Sequence, residues 1–328
     1  MAPMFSKRRQ PPVAPDRHPG GLTRDHVVWA YRLLLDRDPE SDDVIGPKLA
    51  GSKDTRDLRH HLMTSAEFQD KNRDYAHTND STIVIKELDG GARLFVDLSD
   101  HVIGLNIVRG RYEDEAVAFL RAVLAPGDTA VDVGAHIGFF AMRMATLVGP
   151  HGAVYAFEPF DANARLLERS IAENHFEDRV KFRRAAVGRA GGTALLTFAG
   201  ETLNTGGAYL LREGTSPLTG NQTQRVDVVA LDAADIRRPV KLIKMDVEGA
   251  EPLVIEGAQD ILRRDRPVVL SELHPLQLER AAGLTPDEFL AAMRACGYRA
   301  HRLEHGAAGS VLTAAPDEPL VSVVFLPE

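Results

Sequence analysis

Val131-Asp132-Val133-Gly134-Ala135-His136-Ile137-Gly138-Phe139 is the stretch on which the fold turns. The apolar run Thr129–Val133 has the length and character of a buried strand. It passes through an acid into a glycine turn, and Phe139–Val148 follows with helical character. Glycine at 134 and 138 lets the backbone approach a ligand where a side chain would block it. Free N–H groups at the start of the following helix suit a carboxylate. One strand–helix unit later comes Phe157-Glu158-Pro159. An acid at that position can accept hydrogen bonds from both hydroxyls of a ribose. A nicotinamide dinucleotide would require G-x-G-x-x-G to admit its pyrophosphate. Here the middle glycine is replaced by His136, and Asp132 would set a negative charge beside the pyrophosphate. Asp132 is better used facing the amino or sulfonium side of a positively charged cofactor, a chemistry that favours S-adenosylmethionine.

Outward from this stretch, strands and helices alternate from residue 115 on. Thr129–Val133, Ala153–Phe157, Leu242–Met245 and Val268–Leu270 read as buried parallel strands. Phe139–Val148, Asn163–Asn174 and Pro252–Leu262 read as helices between them. The alternation predicts an α/β, doubly wound, mostly parallel sheet. Val180–Ala185, Ala194–Phe198 and Arg225–Leu231 add strands, and residues 297–303 and 319–325 predict an antiparallel pair at one edge. Residues 200–224 form a long polar loop of the kind used as a lid or binding loop. The domain is expected over residues 77–328, led in by a β-hairpin at 82–98 that turns on Asp89-Gly90-Gly91-Ala92.

Residues 21–76 read differently, as a small all-α accessory domain. Val27, Val28, Tyr31, Leu34 and Leu35 recur at helical spacing behind Thr23, an N-cap type. A second helix centres on Val44, Ile45 and Leu49, and a third runs from Leu58 to Phe68. Residues 1–20, proline-rich and poor in apolar groups, read as a disordered leader. The leader's Lys7, Arg8 and Arg9 are not followed by an apolar run, so no secretory signal is expected and the cytoplasm is the simplest compartment. A net charge of -8 lowers the case for nucleic acid or an anionic membrane as partner. No stretch approaches the roughly 20 apolar residues of a membrane span. Cys296 is the single cysteine, which excludes an internal disulfide framework, and it reads as a packed helix end.

The chain resembles the FkbM family of methyltransferases over roughly residues 106–304. The resemblance rests on Gly110-Arg111-Tyr112-Glu113, the 132–138 turn, Phe157-Glu158-Pro159, Ala185-Ala186-Val187-Gly188 and Leu231-Asp232. It continues through Lys244-Met245-Asp246-Val247-Glu248-Gly249-Ala250-Glu251, the most distinctive run, and Glu272-Leu273-His274. His136 departs from the Asn more usual in the family. The resemblance implies a Rossmann-like class I methyltransferase sheet and O-methylation of sugar hydroxyls or of glycosylated and polyketide products. The N-terminal helices resemble a short domain found beside glycosyltransferases and methyltransferases of surface-glycan pathways, through residues 31–39 and Ser65-Ala66-Glu67-Phe68. That tilts the expected acceptor toward glycans, and leaves a protein partner or a homo-oligomer through this domain open.

Expected cofactor-binding residues are Asp132, Gly134, Ala135, His136, Gly138, Glu158, Ala186 and Asp246, with Glu113 added by the resemblance. Methyl transfer to an alcohol needs alignment of the reactants and removal of a proton. Lys244 and Asp246 share a side of one strand end, and Glu272 and His274 share a side of another. His274 has the imidazole best suited to general-base work, Asp246 suits orientation of the acceptor, and Lys244 serves either the chemistry or the buried acids. Glu248 reads equally as the start of the following helix. A divalent metal such as magnesium is left unassigned, since no dense ligand cluster exists in the sequence. N-methylation of an amino sugar or small amine, and a non-catalytic binding protein, are the competing readings.

Overall fold

The computed structural model describes residues 22–35, 37–63, 65, 67–68, 82–100, 102–199, 205–212 and 214–328. The chain divides into two compact units, Met1–Ser81 and Thr82–Glu328. The expected leader, the 76/77 boundary and residues 200–204 lie outside the described residues.

In the first unit, α1 (Arg24–Leu35), α2 (Asp42–Gly51) and α3 (Thr55–Met63) pack on one another. Val27, Tyr31, Leu35, Ile45, Leu58 and Leu62 form their buried faces, as the helical spacing requires. Arg37 pairs with Glu67 and stacks over the Tyr31 ring at 5.0 Å, which ties together the two segments singled out in the sequence. Trp29 and Leu33 remain exposed on α1.

The second unit opens with the hairpin β1 (Ile83–Glu87) and β2 (Arg93–Asp97), an antiparallel pair closed by Gly90 and Gly91 at positive φ. Then follow α4 (Gly104–Arg109), α5 (Asp114–Val123), β3 (Thr129–Val133), α6 (Phe139–Val148), β4 (Ala153–Phe157), α7 (Asp161–Glu173) and β5 (Val180–Arg183). Next come β6 (Ala186–Val187), β7 (Gly192–Ala199), β8 (Tyr209–Leu210), β9 (Asn221–Val229) and β10 (Leu242–Met245). The chain ends with α8 (Glu251–Glu256), α9 (Gln259–Arg264), β11 (Val268–Leu273), α10 (Pro275–Ala281), α11 (Pro286–Ala295), β12 (Tyr298–Glu304), β13 (Ala307–Val311) and β14 (Val321–Pro327).

Eight strands form the main sheet in the order β13-β12-β14-β11-β10-β3-β4-β5. β11, β10, β3, β4 and β5 are parallel, and β14, β12 and β13 extend the sheet antiparallel. This is the expected Rossmann-like, mostly parallel sheet with an antiparallel edge. The edge has three strands rather than two, because β14 inserts between β11 and β12. α5, α6 and α7 cover one face with the hairpin, and α8 to α11 cover the other. From β3 the chain steps outward to β5, then returns to β10 on the opposite side of β3. That reversal opens a crevice at the carboxyl ends of β3 and β10, where doubly wound sheets bind ligands.

Two sequence expectations are corrected. The strands expected at Ala194–Phe198 and Arg225–Leu231 belong to a separate four-stranded sheet, β6-β9-β7-β8. β7 and β9 carry exposed polar residues along their length, which strands covered on both faces cannot tolerate. The helix expected over Pro252–Leu262 breaks at Gly257, where a Cβ would stand 2.1 Å from the Gly188 carbonyl oxygen.

Candidate active site

The turn after β3 is built by close backbone contact. Gly134 has φ +76°, and a Cβ there would lie 1.8 Å from the Asp246 carbonyl oxygen. The turns leaving β3 and β10 therefore touch, and only glycine permits it. The N–H groups of Gly134 and Ala135 donate to the Phe157 carbonyl at 3.0 and 2.9 Å, bringing in the end of β4. Gly138, at φ +96°, caps α6, and a Cβ there would meet Leu167 of α7 at 2.6 Å. Between the glycines His136 also has positive φ. Its N–H donates to Glu158 Oε2 at 2.9 Å, while the Phe160 N–H donates to Glu158 Oε1 at 2.8 Å. Glu158 thus staples the turns after β3 and β4, at 5% exposure.

These turns wall a cavity of about 380 Å³. Glu113, Gly134, Ala135, His136, Glu158 and Ala186 all line it, as do Lys244 and Asp246. Gly138 shapes the turn without being part of the lining, and Asp132 lies fully buried beneath it. Neither carboxylate oxygen of Asp132 has a side-chain hydrogen-bond donor; the backbone N–H of Ala141 faces it from α6, and its nearest cation is Lys244 Nζ at 3.9 Å. Lys244 is the register partner of Asp132 on the neighbouring strand. Its ammonium lies 3.2 Å from Asp246 Oδ2 and 4.7 Å from the centre of the Phe140 ring.

The electrostatics follow from enclosing many acids around one lysine. Burial pushes Asp132 up to about 6, opposed by Lys244. Burial pushes Glu158 up to about 7, opposed by the two N–H donors. Glu248 rises to about 8 through burial and the neighbouring Asp246 and Glu251. Burial, then Asp246, raises Glu113 and Glu272 as well. Burial pulls Lys244 down, but Asp246, Asp132 and Glu272 outweigh it and hold it above the usual lysine range. His136 is pushed down to about 4 by burial, so its ring is neutral at pH 7.

The structure separates the two residues expected to share a face at the end of β11. Glu272 lines the cavity, and His274 is not part of the lining. β11 ends at Leu273, so strand alternation no longer governs His274, which instead precedes α10. The Nδ1 of His274 is buried without a hydrogen-bond partner. Tyr112, Gln277, Gly206 and Gly207 line the cavity and were not anticipated, although the glycines fall in the loop marked out as a binding segment. Glu248 also lines it, at positive φ, rather than simply opening a helix. Glu251 is buried and accepts the Val247 N–H at 3.1 Å, fixing the turn after β10. Among the described residues no three His, Cys, Asp or Glu side chains are grouped so as to hold a metal ion. No helix among the described residues is long and apolar enough to cross a membrane.

Comparison with known proteins places this geometry in a family. Residues 132–300 match the family described as Methyltransferase FkbM domain. Over 202 residues the chain is 28% identical to the 31-O-demethyl-FK506 methyltransferase FkbM of Streptomyces tacrolimicus, covering 53% of this chain and 74% of that protein. Among solved structures, it resembles the methyltransferase FkbM of Methylobacillus flagellatus at 16% identity and TM-score 0.40, over 91% of this chain and 58% of that one. It also resembles Aeropyrum pernix fibrillarin with bound S-adenosylmethionine at 13% identity and TM-score 0.39, over 75% and 94% of the two chains. With more than half of its length matched, the chain belongs to the FkbM family of S-adenosylmethionine-dependent methyltransferases.

Proposed function

We propose that this enzyme methylates a hydroxyl of a sugar, a glycan or a glycosylated natural product. The observation that carries the reading is the Asp246 carboxylate on the cavity lining, 3.2 Å from the Lys244 ammonium and placed to accept a hydroxyl's hydrogen bond. The cofactor fits the residues present: Gly134 and Ala135 bring backbone to the cavity wall, and the Glu158 carboxylate is fixed beside them. Glu158, Gly134, Ala135 and His136 would hold it, with Glu113, Ala186 and Asp246 closing around it and Asp132 and Gly138 shaping the turn from beneath the lining. When bound, S-adenosylmethionine supplies an electrophilic methyl carbon on a sulfonium centre. Asp246 receives the acceptor's hydroxyl hydrogen bond and takes its proton, held in place by the Lys244 ammonium at 3.2 Å. His274 keeps no direct part in that step, because it lies off the lining. The Streptomyces tacrolimicus relative carries an O-demethyl acceptor in its name, which supports oxygen as the methylated atom.

A second reading has its own support. Glu113, Asp246, Glu248 and Glu272 surround a single lysine, a lining that suits an ammonium group and hence an amino sugar or small amine. One experiment tests both: S-adenosylhomocysteine formation with paired acceptors that differ only in hydroxyl or amine at one carbon. Turnover of the hydroxyl partner supports the first reading, and turnover confined to the amine replaces it with the second. Failure of the protein to bind S-adenosylmethionine would overturn both.

A further inference from the structure

We propose that Lys244 is a positioning residue: one buried ammonium serving Asp246 on the cavity lining and Asp132 directly beneath the cofactor turn, so that one cation offsets both carboxylates. The proposal rests on the cofactor placement given above. Lys244 is 6% exposed and Asp132 0%. They are register partners on adjacent parallel strands, so the backbone fixes their separation. Asp246, two residues along β10's path, takes the closer contact at 3.2 Å, against 3.9 Å to Asp132. The Phe140 face of α6 closes the remaining side at 4.7 Å. The other titratable groups facing this ammonium are almost all acidic. They are Glu113 ahead of α5, Glu158 after β4, Glu248 after β10 and Glu272 on β11, with the neutral His136 ring. No second cation among the described lining residues replaces it.

A buried carboxylate without a cation or donors takes up a proton instead. Removing the lysine charge therefore makes binding of cationic S-adenosylmethionine require loss of a proton from Asp132. The experiment is calorimetric titration with S-adenosylmethionine between pH 7 and 9 on wild type, K244M and K244R. The wild type should gain affinity only gradually over this window, as Glu158 and Glu248 lose their protons. K244M should bind weakly at pH 7 and gain affinity by up to about tenfold per pH unit, the signature of one proton released. K244R, which keeps the charge, should stay close to the wild-type profile. A folded K244M whose affinity changes with pH no more steeply than that of the wild type overturns the proposal. Absence of binding by the wild type would instead overturn the cofactor placement. If K244M does not fold, carbon-13 titration of the Asp132 carboxyl in the wild type decides. A charged Asp132 at pH 7.5 supports the shared cation, and a protonated one overturns it.

Discussion

Replacing Glu158 by glutamine tests the turn and the cofactor site at once. Glu158 uses each oxygen on a different backbone donor, the His136 N–H at 2.9 Å and the Phe160 N–H at 2.8 Å. Glutamine keeps one acceptor and turns an NH₂ group toward the other donor. One buried N–H then loses its partner, at a cost of about 1–3 kcal/mol. For a unit of this size that lowers the melting temperature by roughly 2–12 °C, at about 2–4 °C per kcal/mol. The same change removes a charged acceptor from the ribose hydroxyls, worth about 1.5–3 kcal/mol. The cofactor dissociation constant should rise by about 10- to 100-fold. Thermal melting and calorimetry on one preparation read the two effects separately. Burial also pushes Glu158 up to about 7, so wild-type affinity should fall as pH drops below 7 and the acid protonates. E158Q with an unchanged melting temperature and a dissociation constant within twofold of wild type would refute the reasoning.

Asp132, Glu158, Glu251 and Glu248 all titrate higher when folded, at about 6, 7, 7 and 8. The folded protein therefore holds protons that the unfolded chain releases near pH 4, and the stability contributed by these four groups is full below that pH and lost as pH rises through 6 to 8. The unliganded melting temperature should decline from pH 5 to 8, as stability falls by roughly 1.4 kcal/mol per pH unit for each retained proton, offset in part below about pH 6.5 by His136, which is held neutral when folded; a rise across that window would contradict the buried-acid picture. Gly134→Ala drives a Cβ to within 1.8 Å of the Asp246 carbonyl at φ +76°. It should lower the melting temperature and weaken cofactor binding more than tenfold, and normal affinity would show that the two turns can part freely. His274→Ala should leave single-turnover rate and cofactor affinity within a few-fold of wild type, because the side chain lies off the lining; a rate loss of about 100-fold or more in a folded variant would restore His274 as the base.

What could be read in the sequence was decided by local pattern. β3, β4 and β10 are short apolar runs buried on both faces, and the helices after β3 and β4 fall close to their expected positions. The glycines and Glu158 were legible because a strand end followed by a turn fixes where their backbone must go. The second sheet was not, since nothing in the spacing of β7 and β9 states which sheet they join. The break at Gly257 depends on Gly188, nearly seventy residues away, whose carbonyl passes too close for a side chain. Gln277 reaches the cavity only because α10 packs beside the turn after β10, where a Cβ on Gly249 would meet the Gln277 backbone oxygen at 2.1 Å. Glu272 and His274 look equivalent by alternation, and only the position of the strand end distinguishes them.

The cavity also concentrates two features that cost folding energy. Six non-glycine residues have positive φ among the described residues, and Glu113, His136 and Glu248 line this one cavity. Such conformations cost on the order of 1–3 kcal/mol each and persist only where the surroundings enforce them. The same wall gathers five carboxylates, Glu113, Glu158, Asp246, Glu248 and Glu272, around one lysine. Neither feature helps the protein fold, because buried like charges and strained turns both favour the open chain. Both become useful once a cationic ligand occupies the space, since it offsets the acids without a proton and packs against the backbone that the strained turns present. Strain and excess negative charge meeting in one place therefore argue for a binding site independently of any motif. The sign of the charge points to the same class of ligand that Asp132 and Glu158 suggest.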